Sequence, residues 1–410
     1  MIDGDGEARD LAALVVPRAG GLRETGDVWE PYRLLDPLGR VVGPVAVYLS
    51  DLQAAGRPAT TQRSYGMDLL RWFRFLWAVG VPWDQATRAE ARDYSRWIQL
   101  TDKPSHRGGE PSGGANPVTG KPVQGGKYAP TTRGHSESVL RGFYDFHRDA
   151  GSGPMVNPFP LARRGSRPNA HHNPMQPFAN ERSGLYRPRP ARRVPRSIPD
   201  EKFNELFAGL GSNRDRALVA FWVSSGARAS ELLGACCGDA DPGQQLISVV
   251  RKGSRAIQEV PASPDAFVWL RLYQAQMHGL VPAGRDDPLW WTLRRPFRKL
   301  AYHAAYRMFS RANAVLGANW SLHDLRHTAA YRMARDPEML LTDVQWVLGH
   351  AHLSTTEIYL TPLAEDVIAA VLAHHARRAS PEAGRTAQAR PAVLSYRPET
   401  LNVLFGEGTV

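Results

Sequence analysis

Residues 321–333 read SLHDLRHTAAYRM and place His323, Arg326 and His327 within little more than one turn of a helix. Ser321 is a capping residue, so His323 and Arg326, three positions apart on one face, stand on the first turn, where unpaired backbone N–H groups carry partial positive charge. Cations added to a helix end that is already positive make a site for an anion. A metal is the competing reading, because His323 and His327 are four apart on one face. The zinc-protease pattern, however, wants glutamate directly after the first histidine. Here that residue is Asp324, and Arg326 between the two rings repels a cation, so no metal is expected.

Three further stretches suit the same anion. SSGARASELLG (224–234) presents Arg228 after a glycine near the start of a helix whose Leu232 and Leu233 face inward, with Glu231 one turn on to orient the guanidinium. VLGHAHLSTTEIYL (347–360) ends one helix at Gly349 and exposes His350. It then opens a second helix through a capping box from Ser354 to Glu357, which puts Tyr359 in the first two turns. LISVVRKGSRAIQEVP (246–261) has two β-rich runs about a Lys-Gly-Ser turn and predicts a hairpin carrying Lys252. Arg251 and Arg255 share that turn, so a slip of one residue changes which cation points inward. Singly, each stretch has an ordinary reading: Arg228 could merely pair with Glu231, His350 could be a helix cap, and Tyr359 a half-buried aromatic.

The chain around these stretches has 410 residues, 42% of them hydrophobic and 22% charged, enough for two or three domains with real cores. Lys and Arg outnumber Asp and Glu by 51 to 40, a net charge of +11 that suits a polyanion such as nucleic acid, although many basic proteins bind none. Cys236 and Cys237 are adjacent, which offers neither a disulfide framework nor a metal-ligand spacing and implies a reducing compartment. The start, MIDGDGEARD, is acidic where a signal peptide needs cations. No apolar run approaches the ~18 residues of a membrane span. A cytoplasmic protein with no membrane partner is expected.

Residues 1–42, rich in Gly and Pro, predict a partly ordered arm. Helical period begins in the next stretch. In TTQRSYGMDLLRWFRFLWAVG (60–80), Tyr65, Leu69, Trp72, Phe73, Leu76 and Trp77 form one apolar stripe, and Arg63, Arg71 and Arg74 decorate the other faces. Helices are also expected at 45–52, at 89–100 and in APTTRGHSESVLRGFYDFHRDAG (129–151), where Val139, Leu140, Phe143 and Tyr144 share a side. Four helices with basic outer faces make a small all-α domain at 43–160, with Arg63, Arg71, Arg74 and Arg133 as candidate DNA contacts. Residues 101–128, Gly- and Pro-rich without period, predict a long exposed loop within it.

From 161 to 196 there are nine arginines and six prolines against one acid, Glu181, which predicts an interdomain linker over 161–195. Its Arg192 and Arg193 could follow phosphates, or the tract could be a solvated connector. A second, mostly helical domain opens at SIPDEKFNELFAGL (197–210) and spans 196–375, and 376–410 read as a tail.

Taken together, in the order Arg, Lys, His-x-x-Arg, His, Tyr, these residues resemble the tyrosine recombinase (phage integrase) family. GARASELL, HDLRHTAA and LGHAHLSTTEIYL match its three most diagnostic motifs in order and spacing, and the resemblance runs from 43 to 375. It implies a mainly α fold with a small β-hairpin: a helical, SAM-like core-binding domain and an integrase-type catalytic domain. Family members clamp double-stranded DNA between the two, usually as a homo-tetramer on paired sites.

The implied activity is site-specific recombination without metal, ATP or other cofactor, since one phosphodiester is exchanged for another. Tyr359 would form a 3′-phosphotyrosyl link and free a 5′-hydroxyl. A phenol of pKa about 10 needs nearby cations and a proton acceptor. The candidate acceptor is His323. Arg228 and Arg326 would each donate paired hydrogen bonds to the nonbridging oxygens, with His350 as a further donor and Lys252 protonating the leaving 5′-oxygen.

Two features depart from the pattern. The 101–128 loop looks like an insertion, and the first 42 residues are too short and too acidic for the separate arm-binding domain of some phage integrases, which favours a simpler recombinase or a transposase-like relative. The helix EDVIAAVLAHHA (365–376), with Val367, Ile368, Val371 and Leu372 on one face, would dock on a neighbouring protomer or on its own domain. A type IB topoisomerase-like relaxer and a non-catalytic DNA-binding regulator are the alternative functions.

Overall fold

The computed structural model describes residues 9–103, 114–122, 125–162, 183–188, 197–360 and 364–379. The chain divides into two compact units, one built from residues up to 115 with 121–192, the other from 116–120 with 193 onward. It is mostly helical with two small antiparallel sheets.

In the first unit a hairpin of β1 (Gly21–Glu24) and β2 (Tyr32–Leu35) precedes α1 (Gly43–Ala54), α2 (Ala59–Val79), α3 (Arg88–Leu100) and α4 (Pro130–Asp149). The stripe expected on α2 is buried at Leu69, Trp72, Phe73 and Leu76, but Leu70 and Phe75 are buried too, so α2 is wrapped on more than one side. Trp72 is its centre: its indole N–H donates to the Tyr144 hydroxyl at 2.9 Å, and that hydroxyl donates to the Trp83 carbonyl at 3.0 Å. A buried indole and phenol thus satisfy each other inside an aromatic cluster. A capping box of Thr87 and Glu90 starts α3.

The segment read as a partly ordered arm is packed from residue 9 onward. Leu34 is fully buried, Leu11 nearly so, and Arg9 pairs with Glu90 and Asp93 of α3. The first unit therefore takes in a small sheet before residue 43, while its described elements from 43 to 160 are helical. The sparse leucines of a Gly- and Pro-rich segment hide its sheet, because each strand has only four residues. In the 101–128 stretch the described ends close on themselves through bridges between Asp102 and Lys127 and between Ala115 and Pro122; residues 104–113 lie outside the described set. The same holds for most of the Arg-rich tract, whose described ends pair with each other, Leu161 against Gly184.

In the second unit α5 (Asp200–Ala208) leads to α6 (Asn213–Ser225), which is buried on most sides through Leu218, Val219, Phe221 and Trp222 and packs on α8 (Pro264–Met277). Between them come the short α7 (Ala229–Leu233) and the strands β3 (Ala240–Asp241), β4 (Leu246–Val250) and β5 (Ile257–Pro261). The expected hairpin is β4–β5, in register from Leu246↔Pro261 to Val250↔Ile257, and β3 adds a third strand on its far edge. The chain continues through α9 (Tyr302–Val315), α10 (Leu322–Ala334), α11 (Leu341–Leu348), α12 (Ser354–Glu357) and α13 (Ala364–Ala379). Among the described residues no helix is long and apolar enough to cross a membrane.

Candidate active site in the second unit

Two helices of the second unit end the same way. Gly226 after α6 and Gly349 after α11 adopt left-handed backbone, φ 62° and 61°, the usual helix-terminating geometry of glycine. A side chain at either position would also collide, with Leu348 at Gly226 and with Arg251 at Gly349.

Arg326 of α10 joins the two ends. It is 2% exposed, and its Nη1 and Nη2 donate to the Gly226 and Leu348 carbonyls, each at 2.7 Å. A cation is favoured at the negative end of a helix, and two of the five guanidinium N–H groups are used here. Burial, with Arg228 nearby, lowers the Arg326 pKa to about 10, so it stays charged at neutral pH.

Arg228 directly precedes α7. Its Nη1 donates to Glu231 Oε1 at 2.8 Å and its backbone N–H to Oε2 at 3.0 Å, while the side chain remains 28% exposed. Buried Glu231 also accepts from Arg251 Nη1 at 3.1 Å and from the Lys252 backbone N–H at 2.9 Å. Burial pushes this carboxyl upward, but the Lys252 amide and the Arg228 bonds outweigh it and hold its pKa below the usual range. One carboxylate thereby ties the α7 start to the β4–β5 turn. Lys252 is exposed at that turn; Arg251 beside it is buried.

Tyr359 lies in the turn after α12. No capping box begins this helix: Leu353 before it is already helical and makes no side-chain cap, so α12 is a single turn and ends at Glu357, before the tyrosine. The ring is buried against Ala330, Val344 and Leu348. Its hydroxyl shares a 2.8 Å hydrogen bond with His327 Nδ1. Burial raises the phenol pKa, and the charges of Arg326 and Arg228 pull it part of the way back. His350 follows Gly349 and shares a 2.9 Å hydrogen bond between Nδ1 and Thr356 Oγ1. Burial, then the charges of Arg326, Arg228, Arg251 and His323, push its pKa down to about 4. His323 is exposed on the first turn of α10, its ring centre 4.3 Å from that of His327. A nucleophile-capable phenol and several cations thus share one place, a field suited to a phosphate.

Residues 200–365 match the model of the phage integrase family. Tyrosine recombinase XerC of Serratia marcescens is 31% identical over 188 residues, 44% of this chain and 60% of that protein. The second unit is similar to the tyrosine recombinases of the phage integrase family. The chain spans about 60% of the length of that curated relative. In fold, the chain is similar to the Tn1549 transposon integrase solved with circular intermediate DNA (TM-score 0.53, 14% identity, 81% of this chain and 99% of that one). It is also similar to the XerH site-specific recombinase solved in a post-cleavage complex with palindromic difH (TM-score 0.52, 15% identity, 81% and 85%).

Of the site residues read from the sequence, Arg228, Glu231, Arg326, His350 and Tyr359 fall in this one place, with Lys252 on the adjoining turn. The exception is the hydrogen-bond partner of the phenol. The phenol bonds to His327, not His323, because His327 lies one turn deeper on α10, level with the Tyr359 turn. The four-residue spacing of the two histidines, on which the metal reading rested, sets His327 beside the tyrosine. Asp324, which stands where the zinc-protease pattern wants glutamate, accepts from the Ser321 backbone N–H at 2.6 Å and its Oγ at 2.8 Å, and so caps α10.

The candidate DNA contacts of the first unit fare differently. Arg63 is exposed. Arg71 pairs with Asp68 at 3.0 Å and lies over the Tyr128 ring. Arg74 donates to the carbonyls of Ala19, Gly20 and Arg18 and is bound up in holding the hairpin segment. Arg133 is half-buried. Arg192 and Arg193 lie outside the described residues.

Proposed function

We propose that this chain is a site-specific DNA recombinase of the integrase or transposase type, acting on double-stranded DNA in the cytoplasm. The observation that carries the reading is the buried Tyr359 hydroxyl, hydrogen-bonded to His327 and lying in the field of Arg326 and Arg228. In the proposed step the phenolic oxygen attacks phosphorus and its proton passes to His327. The bond from phosphorus to the 5′-oxygen breaks, and that oxygen takes a proton from the Lys252 ammonium. Arg228 and Arg326 neutralise the nonbridging oxygens as the five-coordinate phosphorus forms, and neutral His350 adds a donor. Reversal by the 5′-hydroxyl of a partner strand rejoins the DNA, so the bond energy is kept and neither metal nor ATP is called for.

The first unit serves in this reading as the core-binding domain and the second as the catalytic domain. Assembly of four copies on paired sites is supported by α13, whose Val367, Ile368, Val371 and Leu372 are all exposed. A helix with such a stripe normally buries it.

Duplexes selected from a randomised pool by binding to the Tyr359→Phe chain, then nicked and incubated with the wild-type protein, test the reading. A protein–DNA adduct on a denaturing gel, absent with Tyr359→Phe, is expected. Tight binding with no adduct would instead mark a DNA-binding regulator.

A further inference from the structure

The α11 helix ends on three consecutive carbonyls, and each is taken by a side chain from elsewhere in the unit. Gln258 of β5 donates to Trp346 O at 2.8 Å, Arg251 Nη2 donates to Val347 O, and Arg326 Nη2 donates to Leu348 O. Two of these three groups come from the β-hairpin that carries Lys252.

Arg251 is the knot between them. It is 4% exposed, and besides Val347 its Nε donates to Gln258 Oε1 at 2.7 Å and its Nη1 to Glu231 Oε2 at 3.1 Å. The guanidinium lies so close to Gly349 that a Cβ there would sit 2.9 Å from Nε and 3.1 Å from Cζ. A small hydrophobic cluster of Ala227, Val249, Val260 and Val347 closes over the same junction. A buried guanidinium with a carboxylate, an amide oxygen and a helix-end carbonyl as partners has one geometry in which all are satisfied, and losing any of them leaves a desolvated polar group. That fixes the register of the turn: with Arg251 buried, Lys252 next to it points out toward solvent.

We infer that Arg251 is a positioning residue that couples the Lys252 turn to the His350 turn, setting both at a fixed height above the Arg228–Arg326 pair. This rests on the reading of Lys252 as the proton donor to the leaving oxygen. An exposed β-turn would otherwise sample many positions, and misplacement of a donor by an ångström can cost about 10²-fold in rate. The knot makes the positions of donor and histidine depend on each other: anything that shifts the α11 end moves the lysine as well.

Two measurements on the full chain test this. In amide hydrogen exchange, Arg251→Met should speed exchange by about tenfold at both the 250–257 and the 346–352 stretches, with α6 and α8 unchanged and Arg251→Lys intermediate. Unchanged exchange, or loosening of the hairpin alone, overturns the coupling. The second measurement uses a selected duplex carrying sulfur in place of the bridging 5′-oxygen, because the thiolate leaves without a proton. Cleavage lost in Lys252→Ala and in Arg251→Met should both recover on the sulfur duplex to within a few-fold of wild type. Recovery of Lys252→Ala without recovery of Arg251→Met leaves the proton-donor reading standing and refutes the role given to Arg251. Failure of Lys252→Ala to recover refutes the proton-donor reading, and with it the inference.

Discussion

Arg74 in the first unit and Arg326 in the second perform the same local chemistry to different ends. Each is a guanidinium desolvated enough to lower its pKa, and each collects backbone carbonyls: Arg74 those of Arg18, Ala19 and Gly20, Arg326 those of Gly226 and Leu348. Arg74 holds an N-terminal segment on a helix, and its other electrostatic neighbours are Tyr128, Arg18 and Arg71. Arg326 sits among Arg228, Arg251, Glu231 and the Tyr359 phenol. The bonds an arginine makes therefore do not reveal its task. Its charged and nucleophilic neighbours do, because an uncompensated concentration of cations calls for an anion to complete it.

The sharpest way to break this contrast is to remove both guanidinium groups in turn. Arg326→Met should lower adduct formation by about 10³-fold, as loss of a transition-state donor typically does. Arg74→Met should leave adduct formation within a few-fold while accelerating amide exchange around residues 19–22. Equal losses of adduct from the two variants would mean that Arg74 also meets DNA.

Within the second unit, His327→Ala should reduce cleavage by about 10²-fold and His323→Ala by roughly tenfold or less, since only the former removes the hydrogen-bond partner of the nucleophile. Single-turnover rates on the nicked duplex measure this, and the reverse ranking would return the acceptor role to His323.

Glycines sharpen the same comparison at the level of stability. Gly39, before α1, and Gly349 both have positive φ, 80° and 61°, but a Cβ at Gly39 meets nothing within 4 Å whereas one at Gly349 meets the Arg251 guanidinium. Gly39→Ala should cost about 1 kcal/mol of backbone strain. Gly349→Ala should cost about 3 kcal/mol, because the buried arginine must also shift. Urea denaturation distinguishes the two.

The last expected effect is confined to acidic pH and concerns His350. Its pKa falls from 6.5 to about 4 on folding, so between those values the unfolded chain binds more protons than the folded one. Its contribution to stability is complete above pH 6.5 and is lost as the pH drops toward 4. His350→Gln should flatten the stability–pH curve in that window only, measured by urea midpoints at a series of pH values.

Much of the site was legible because its residues are bound to local signals. Gly349 announces a helix end, Ser321 a helix start, and Arg228 with Glu231 a pair one turn apart; each depends on neighbours within four positions. Tyr359 was legible as a residue but not in its setting, since the apparent capping sequence at Ser354 is overridden by Leu353, which is already helical. The exchange of His323 for His327 as the partner of Tyr359 was not legible. It depends on how deep along α10 the Tyr359 turn docks, which is set by the packing of Leu348, Val344 and Ala330. The first unit's basic face was legible only as charge. Nothing in the spacing of Arg71 and Arg74 tells that one pairs with Asp68 and the other with the hairpin segment, contacts that bring together residues up to fifty-six positions apart.

By itself the sequence determined the helices from 43 to 160, the mostly helical character of the second unit, the hairpin bearing Lys252, and the types and order of the residues of the site, because caps, apolar periods and turns are written in short windows. Only the tertiary structure decided which histidine holds the phenol, which arginines are occupied within the protein, and that Arg251 binds the hairpin to the end of α11. Those outcomes depend on desolvated groups finding partners far along the chain, and a buried charge has no preference for one distant carbonyl over another until the helices carrying them have packed.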